Sequence, residues 1–482
     1  MRTDTIAAIA TAMSDSGIGI IRVSGGESIE LINKIYRNIK NEKVLKKYDS
    51  HTIHYGNITE EDGTVIDEVL ITVMKAPRSY TAEDTVEINC HGGILMMRKI
   101  LDTVIRAGAR IAEPGEFTKR AFLNGRIDLS RAEAVMDIIH AKNEFALQSS
   151  VKQLRGSVSD RIKNIRESIL YEIAFIESAL DDPEHISLDG YRDRLSLKTN
   201  EIITELDKLL YSSNDGRMLK EGIHTVIVGK PNAGKSSLLN LMAGEEKAIV
   251  TDIAGTTRDA LEEVISLGGI SLNIIDTAGI RNTQDVVEKI GVEKARKISE
   301  DADLILYVVD SSVPLDDNDR EIIRMIRNKN TIILLNKSDL KEIVSEEDIL
   351  NEIKIVLNDI SDHDTDEITA INLSESILRI IKTSTKEDSG IEDLINLIKE
   401  MFFHGKISYN DEVYITNMRH KEAIQEAKDS MIQVRKSLDL DMPEDFYSID
   451  LMNAYASLGK IIGEEVGDDL VNEIFSRFCM GK

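Results

Sequence analysis

The segment GKPNAGKSS, residues 229–237, constrains the fold of this chain more than any other stretch. It places Gly229, Gly234, Lys235 and Ser236 directly after the apolar run HTVIV. Glycines let consecutive backbone N–H groups approach phosphates, the lysine neutralises them, and the hydroxyl binds magnesium. The spacing therefore predicts a strand, a phosphate-binding loop and a helix within a parallel α/β sheet.

Two further motifs follow this loop in chain order and indicate a guanine nucleotide. DTAG, residues 276–279, ends the run LNII, where Asp276 can hold magnesium through water. NKSD, residues 336–339, ends the run TIILL, and the Asp339 carboxylate can accept both the ring N–H and the exocyclic amine of guanine. Because adenine lacks this pair of donors, we expect the nucleotide to be GTP.

These motifs define a set of residues expected to contact GTP. Its members lie in the phosphate loop, in TDIAGTTRD at 251–259, in DTAG, in NKSD and in STK at 384–386, which should support the base. They are Asn232, Ala233, Gly234, Lys235, Ser236, Ser237, Thr251, Asp252, Ile253, Ala254, Gly255, Thr256, Thr257, Asp276, Thr277, Ala278, Gly279, Asn336, Lys337, Ser338, Asp339, Ser384, Thr385 and Lys386.

Two departures concern hydrolysis. Ile280 follows DTAG and has no polar atom to orient the attacking water, and no arginine finger is evident. A bound monovalent cation could substitute, because Asn232 and the segment TDIAGTTRD offer amide, hydroxyl and carbonyl oxygens. The alternative is that this segment is only a mobile switch that places Thr257 on magnesium.

Four stretches with three different residue patterns indicate a multidomain chain. Residues 1–118 alternate short β-branched runs with one helical stretch, which predicts an α+β domain. Residues 119–215 and 403–482 are helical, whereas 216–402 alternate strand and helix. We therefore expect an α-helical bundle domain that is split in sequence by an inserted α/β P-loop GTPase domain, with its two halves paired.

The helical prediction depends on apolar residues spaced three and four apart. They are Val158, Ile162, Ile165, Ile169, Ile173, Ile176 and Leu180 in the first half, and Ile424, Ala427, Met431, Val434 and Leu438 in the second.

Charge and cysteine content limit the partners and the compartment. With 59 basic and 85 acidic residues, the formal net charge of −26 repels nucleic acid, so any RNA contact must be local or shared with a partner. Cys90 and Cys479 do not form a disulfide framework, and no run approaches the roughly 18 apolar residues that span a bilayer. We expect a cytoplasmic protein with no membrane partner.

Taken together, the motifs identify a family. With CHGG and PGEFTKRAFLNGRID near the N-terminus, VEKIGVEKA after DTAGIR, and a terminal cysteine, glycine and lysine, the chain resembles the MnmE (TrmE) family of tRNA modification GTPases. The resemblance implies a homodimeric, potassium-activated GTPase that works with an FAD-dependent MnmG-type partner in a heterotetramer or larger complex. The pair would install an aminomethyl or carboxymethylaminomethyl group at carbon 5 of the wobble uridine of certain tRNAs.

The resemblance also implies roles for residues of the nucleotide site. Magnesium would be bound by Ser236 and Thr257, and Glu288 in VVEKIGVEKA would orient the attacking water. Read without the family, Glu288 is an ordinary carboxylate on a helix surface. The potassium ligands would be Asn232, Thr251, Ile253 and Thr256.

A reduced folate, methylene- or formyl-tetrahydrofolate, would supply the one-carbon unit. The family's folate site falls on Arg22, Glu87, Arg126 and Lys482. Arg126 departs from the lysine common at that position; its charge is kept, but a flat guanidinium binds differently from an ammonium group.

The family resemblance gives the terminal sequence SRFCMGK a role. The tail would fold toward the folate, which would place the thiol of Cys479 beside the one-carbon donor as a catalytic group. The alternative is an inert Cys479 next to a helix that docks through Phe478. Cys90, beside His91, is interpreted as a packing residue because adjacent strand residues point to opposite faces.

Two other functions remain open. The first is a regulatory GTPase switch in RNA or ribosome assembly, without modification chemistry, and the second is a folate-binding aminomethyl carrier. A basic cluster is either a tRNA contact surface or a helix face that pairs with nearby acids. Its members are Lys119, Arg120, Arg126 and Arg131.

Overall fold

The computed structural model describes residues 4–182, 184–185, 187, 189–245, 263–275, 302–326, 329–361, 378–403, 415–479 and 481. The chain forms two compact units. The first unit comprises Met1–Ile139, Val151–Leu206 and Glu422–Lys482, and the second comprises His140–Ser150 and Asp207–Lys421.

The described strands form one sheet in each unit. The first sheet contains β1 Ile6–Ile9, β2 Ser16–Ser24, β3 Tyr36–Asn38, β4 Thr52–Thr59, β5 Val65–Met74, β6 Thr85–Gly92 and β7 Arg110–Ile111. The second contains β8 Ile223–Val228, β9 Glu263–Leu267, β10 Ile270–Ile274, β11 Leu304–Asp310, β12 Thr331–Asn336 and β13 Leu378–Lys382.

Helices fill much of the remaining described chain, and none of those described is long and apolar enough to cross a membrane. They are α1 Ser28–Ile35, α2 Ile94–Arg106, α3 Glu116–Leu123, α4 Leu129–His140, α5 Glu144–Leu154, α6 Ser157–Asp181, α7 Tyr191–Glu221, α8 Lys235–Glu245, α9 Asp317–Ile326, α10 Glu346–Ser361, α11 Ile391–Phe403, α12 Met418–Asp439, α13 Glu444–Ile462 and α14 Asp468–Ser476.

The first sheet has the strand order β3-β4-β5-β6-β2-β1-β7 and buries one face under α1 and α2. Its pairs are antiparallel except β1 with β7. Because side chains alternate along a strand, Ile21, Ile71 and Ile88 enter the core while their neighbours point to the other face. That other face carries Arg22 of β2 opposite Glu87 of β6.

Helices from the two predicted halves of the helical domain contact each other. Helices α6 and α13 pack together, and the Arg166 guanidinium of α6 lies 3.9 Å from the centre of the Tyr455 ring of α13 and pairs with Glu464. The predicted apolar stripe is buried from Val158 to Ile176 and throughout the α12 set. Leu180 is the exception: it lies in the last turn of α6 and is 47% exposed.

The second sheet has the strand order β13-β12-β11-β8-β10-β9. The five strands β8 and β10 to β13 are parallel, and β11 and β12 are buried along their whole length, as expected of strands covered on both faces. The prediction of a wholly parallel sheet was wrong at one edge, where β9 pairs with β10 in antiparallel register. Gly268 and Gly269, both with positive φ, join these strands as a tight hairpin.

Most of the basic cluster is paired with polar groups of the protein. The Arg120 side chain is 8% exposed and forms ion pairs with Asp4, Glu83 and Glu116. Arg131 pairs with Asp128 and Asp160, and Lys119 donates to Asn472. Of the two interpretations of this cluster, the contacts of Arg120 and Arg131 favour the helix face that pairs with acids.

We expect Arg120→Ala to lower the free energy of unfolding by about 3 kcal/mol, because it removes a buried guanidinium that pairs with the buried carboxylate of Glu116, which keeps Arg110 as its other partner. Arg161→Ala is the control, since Arg161 and its partner Glu205 are 43% and 40% exposed and an exposed pair contributes about 1 kcal/mol or less. Urea denaturation measures both values. Equal small losses would show that the Arg120 network contributes nothing to stability.

Candidate functional site

The carboxyl ends of β8, β11 and β12 lie along one edge of the second sheet because these strands are parallel neighbours. Predicted site residues, or residues that contact predicted site residues, lie at the end of each strand. The phosphate loop follows β8, Asp310 ends β11, and NKSD begins at the last residue of β12. The topology therefore brings motifs that are distant in sequence to one place.

The phosphate loop has a backbone that ordinary residues avoid. Gly229, Asn232 and Gly234 have φ values of 150°, 63° and 103°. A Cβ on Gly229 would lie 2.3 Å from the Val308 carbonyl oxygen, and one on Gly234 would lie 2.1 Å from Nδ2 of Asn336. Only glycine fits at these two positions, and asparagine is among the residues that best tolerate the left-handed region.

Lys235 lies at the start of α8 and turns its amine back over the loop. Its Nζ donates to the carbonyl oxygens of Gly229 at 2.6 Å and of Lys230 at 2.7 Å. Burial lowers the pKa of this ammonium group. The positive charge, the helix N-terminus and the loop N–H groups together suit an anion such as phosphate.

The NKSD segment is tied to the phosphate loop and to the loop that follows β13. Asn336 Nδ2 donates to the Ala233 carbonyl oxygen at 2.8 Å. The Asp339 carboxylate accepts from Ser384 Oγ at 2.8 Å and lies 3.8 Å from Lys386 Nζ. With the Asp339 side chain only 9% exposed, its orientation is fixed by these contacts.

Asp310 is a residue of this site that was not predicted from the sequence. Lys337 of NKSD pairs with this carboxylate across the parallel strands β11 and β12. Burial works to raise the pKa of Asp310, but hydrogen bonds from Lys337 and Ser312 outweigh it and hold the pKa below its usual range. The position of Asp310 at the end of the apolar run LILYVV, on the strand that pairs with the one ending in NKSD, is the signal that could have identified it.

The described part of the chain places one portion of the predicted nucleotide set in the loops at this edge. These residues are Asn232, Ala233, Gly234, Lys235, Ser236, Ser237, Asn336, Lys337, Ser338, Asp339, Ser384, Thr385 and Lys386. The predicted residues Thr251, Asp252, Ile253, Ala254, Gly255, Thr256, Thr257, Asp276, Thr277, Ala278, Gly279 and Glu288 lie outside the described residues.

A second group of predicted residues meets on the face of the first sheet opposite to α1 and α2. Arg22 Nε lies 2.8 Å from Glu87 Oε1, and Arg22 Nη1 donates to the carbonyl oxygen of Gly481 at 3.0 Å. The guanidinium also lies 5.4 Å from the ring centre of Tyr80 and 5.7 Å from that of Phe117. Arg22 thus joins the sheet, an aromatic surface and the C-terminal tail.

The tail is anchored by its backbone and by Phe478. Phe478 is buried against Gly115, whose N–H donates to the Cys479 carbonyl oxygen at 3.4 Å. Gly481 has φ of 85°, and a Cβ there would lie 2.5 Å from the Ile9 carbonyl oxygen. The Cys479 residue itself is exposed, so Phe478 docks the tail while the thiol is not packed away.

Arg126 approaches the same aromatic ring from another direction. Its guanidinium lies 5.1 Å from the centre of the Tyr80 ring. Both residues line an open cleft of about 390 Å³ together with His51, Met74, Pro77, Arg78 and Ser79. Of the predicted folate residues, Arg22 contacts the tail and faces Tyr80, and Arg126 faces the same ring. Glu87 pairs with Arg22, and Lys482 lies outside the described residues.

The interpretation of Cys90 as a packing residue is confirmed. It is buried in the core of the first sheet, and burial raises the pKa of its thiol to about 11. The next residue, His91, points to the opposite face, where its Nδ1 lies 2.7 Å from Asp67. These two side chains do not form a Cys-His pair.

Comparisons with known proteins cover the whole chain. The family model described as "MnmE helical domain" matches residues 129–479, and "GTP-binding protein TrmE N-terminus" matches residues 5–126. The tRNA modification GTPase MnmE of Lachnoclostridium phytofermentans is 56% identical over 482 residues, and the alignment covers 100% of both chains. The protein of the same name in Acetivibrio thermocellus is 46% identical, also with 100% of each chain covered.

A distant likeness to solved structures was also found. Translation elongation factor SelB from Methanococcus maripaludis, in complex with the GTP analogue GppNHp, is 20% identical and has a TM-score of 0.25. The match covers 39% of this chain and 35% of that chain.

We expect Asp339→Asn to weaken GTP binding by about tenfold or more, because the amide cannot accept from both guanine donors. The same change should improve binding of XTP, whose carbonyl group replaces the exocyclic amine and can accept from the new amide. Competition against a fluorescent GDP analogue measures both affinities. Undiminished GTP binding would remove Asp339 from base recognition.

Proposed function

The chain belongs to the MnmE family of tRNA modification GTPases, and we propose that it is a potassium-activated GTP hydrolase that uses a reduced folate to modify tRNA. With an FAD-dependent MnmG-type partner, it would install an aminomethyl or carboxymethylaminomethyl group at carbon 5 of the wobble uridine. It would act in the cytoplasm as a homodimer within a heterotetramer or larger complex.

The domains would divide the work. Residues 1–118 would bind folate and form the dimer, and residues 216–402 would form the inserted GTPase domain. Residues 119–215 and 403–482 would form the two halves of the helical domain, with the cysteine-containing tail at its end. The contact between α6 and α13 supports the pairing of these halves.

The observation that carries the proposed modification chemistry is the position of Arg22. It holds the Glu87 carboxylate at 2.8 Å and the Gly481 carbonyl at 3.0 Å, so the tail reaches the residues expected to bind folate. Glu87 could accept from the donor edge of a pterin, and Arg126 could meet a folate carboxylate. The Tyr80 ring, which both guanidinium groups approach, offers an apolar surface for the aromatic part.

The phosphate loop and the NKSD segment fit GTP by their donors and acceptors. The positive φ values of the loop suit backbone N–H groups that face a phosphate, Lys235 supplies positive charge, and the Asp339 carboxylate can accept from guanine. Ser236, in the first turn of α8, and Thr257 would hold Mg²⁺, which neutralises phosphate charge. Asn232, Thr251, Ile253 and Thr256 would hold K⁺ in place of an arginine finger.

Glu288 would orient the attacking water, which Ile280 cannot do because its side chain has no polar atom. A carboxylate can accept a hydrogen bond from water and orient it toward the γ-phosphate. When potassium is bound, the nucleotide domains of two protomers would approach across their GTP sites and bring Glu288 to that water.

Cys479 would be the reactive group of the tail. Its exposure leaves the sulfur accessible, and the anchored neighbours Phe478 and Gly481 limit where it can go. Limited motion favours a reaction, because a positioned group loses less entropy on reaching the transition state. A regulatory switch without modification chemistry would need neither this cysteine nor a folate site.

We expect Glu288→Ala to leave GTP affinity within about threefold of the parent while lowering kcat by about 10² or more, because only the orientation of water is lost. Single-turnover hydrolysis in potassium buffer, beside equilibrium nucleotide binding, separates the two effects. Glu293→Ala, which removes a second carboxylate of the same VVEKIGVEKA segment, is the control and should keep kcat. An unchanged kcat in Glu288→Ala would exclude a catalytic role.

We expect Cys479→Ser to hydrolyse GTP normally but to yield no modified uridine when assayed with its partner and tRNA, because a hydroxyl is a much weaker nucleophile than a thiolate. Cys90→Ala removes the other thiol and should keep modification. Mass spectrometry of digested tRNA measures the product. Full modification by Cys479→Ser would return the cysteine to a structural role, whereas no modified uridine from the parent protein would favour the regulatory switch.

A further inference from the structure

The second residue of the phosphate loop, Lys230, is held by two carboxylates that the nucleotide motifs do not include. Its Nζ lies 2.6 Å from Asp319 Oδ2 and 3.1 Å from Asp316 Oδ2. Asp316 directly precedes α9, and Asp319 lies in the first turn of that helix. The side chain of Asp319 is 1% exposed and that of Lys230 is 14% exposed, so this ion pair is shielded from water.

Asp319 is fully engaged by donors. The Tyr307 hydroxyl of β11 donates to Oδ1 at 2.8 Å, and the backbone N–H of Asp316 donates to Oδ2 at 2.9 Å. Tyr307 is completely buried. Burial is the larger cause and the charge of Asp319 the second cause that raise the pKa of its phenol, so the hydroxyl keeps its proton and donates it in the hydrogen bond. With Lys230 as third donor, the carboxylate has a single orientation.

The electrostatics keep Lys230 charged in this shielded position. Burial works to lower the pKa of Lys230, but the hydrogen bonds to Asp319 and Asp316 outweigh it and raise the pKa. A buried ion pair often contributes little net stability compared with apolar side chains of the same size. Here Asp319 is also held by the Tyr307 hydroxyl and the Asp316 N–H, so the ion pair constrains the position of Lys230.

The ion pair between Lys230 and Asp319 also affects the position of the Lys235 amine, which is expected to bind phosphate. The carbonyl oxygen of Lys230 accepts from Lys235 Nζ at 2.7 Å, so the residue held by Asp319 itself positions Lys235. The loop between them contains two residues with positive φ, Asn232 and Gly234, and such a backbone needs anchors on both sides. Asn336 anchors one side through Ala233, and Asp319 anchors the other through Lys230.

We propose that Tyr307, Asp319 and Lys230 form a positioning cluster that holds the phosphate loop ready for the β- and γ-phosphates of the nucleotide. Tyr307 donates to Asp319, and Asp319 pairs with Lys230. The Lys230 carbonyl accepts from Lys235, so the cluster acts on the nucleotide through Lys235. The proposal rests on the assignment of residues 229–237 to nucleotide phosphates made above.

The test compares GDP with GMP, because both carry the base but only GDP carries the β-phosphate that Lys235 and the loop surround. Calorimetry or competition against a fluorescent GDP analogue gives both Kd values for the full-length protein. We expect Tyr307→Phe to raise the Kd for GDP by about tenfold and Asp319→Asn by more, with the Kd for GMP changed less than about threefold. Asp317→Asn is the matched control: it lies in the same helix turn, is 96% exposed and should change neither value.

A double-mutant cycle tests whether the residues act as one unit. We expect Lys230→Met with Asp319→Asn to weaken GDP binding no more than the worse single change, since one interaction is removed once. Additive losses would contradict the cluster. Equal losses for GDP and GMP, or no loss in Tyr307→Phe, would also overturn the proposal, because they indicate a general structural role or none.

Lys235→Ala separates this proposal from the site assignment on which it rests. If Lys235→Ala binds GDP normally, the assignment of the phosphate loop fails. If Lys235→Ala loses GDP binding while Asp319→Asn and Tyr307→Phe keep it, the assignment stands and only the positioning cluster is wrong.

Discussion

The hydrogen bond from Asn336 to the Ala233 carbonyl joins the two halves of the nucleotide site, and the rest of that site depends on it. One partner belongs to the loop that suits phosphates and the other to the segment that suits guanine. The bond can form because β8, β11 and β12 are parallel and end at one edge of their sheet. The glycines of the phosphate loop then allow the backbone to pass close to Val308 and Asn336 without a clash.

In the first unit, Arg22 is the residue that links separate parts of a predicted site. It joins Glu87 to the Gly481 carbonyl by hydrogen bonds, and it also faces two aromatic rings. In this strongly acidic chain, Arg120 and Arg131 of the basic cluster are paired with carboxylates of the protein itself. The tRNA contact is therefore expected elsewhere or on a partner.

Structural elements could be predicted from the sequence where a short residue pattern has a local physical cause. Glycine spacing predicted the phosphate loop, buried β-branched runs predicted the parallel strands, and apolar spacing predicted α6 and α12. The hairpin of β9 and β10 was missed although its Gly-Gly turn is a local signal. The contact of Lys230 with Asp319 could not be predicted, because it joins residues far apart in sequence through tertiary packing. The approach of the tail to Arg22 was expected from the family resemblance alone, for the same reason.

The central claim is that the tail, the folate and the first unit form one site in a chain that also carries a GTPase domain. Calorimetric titration of formyl-tetrahydrofolate into the intact protein and into a version that lacks residues 479–482 tests it most directly. We expect the intact protein to bind and the truncated protein to bind at least about tenfold more weakly, because Arg22 loses its contact with the tail. Equal binding by both forms would separate the tail from the folate site, and no binding by either would contradict the claim.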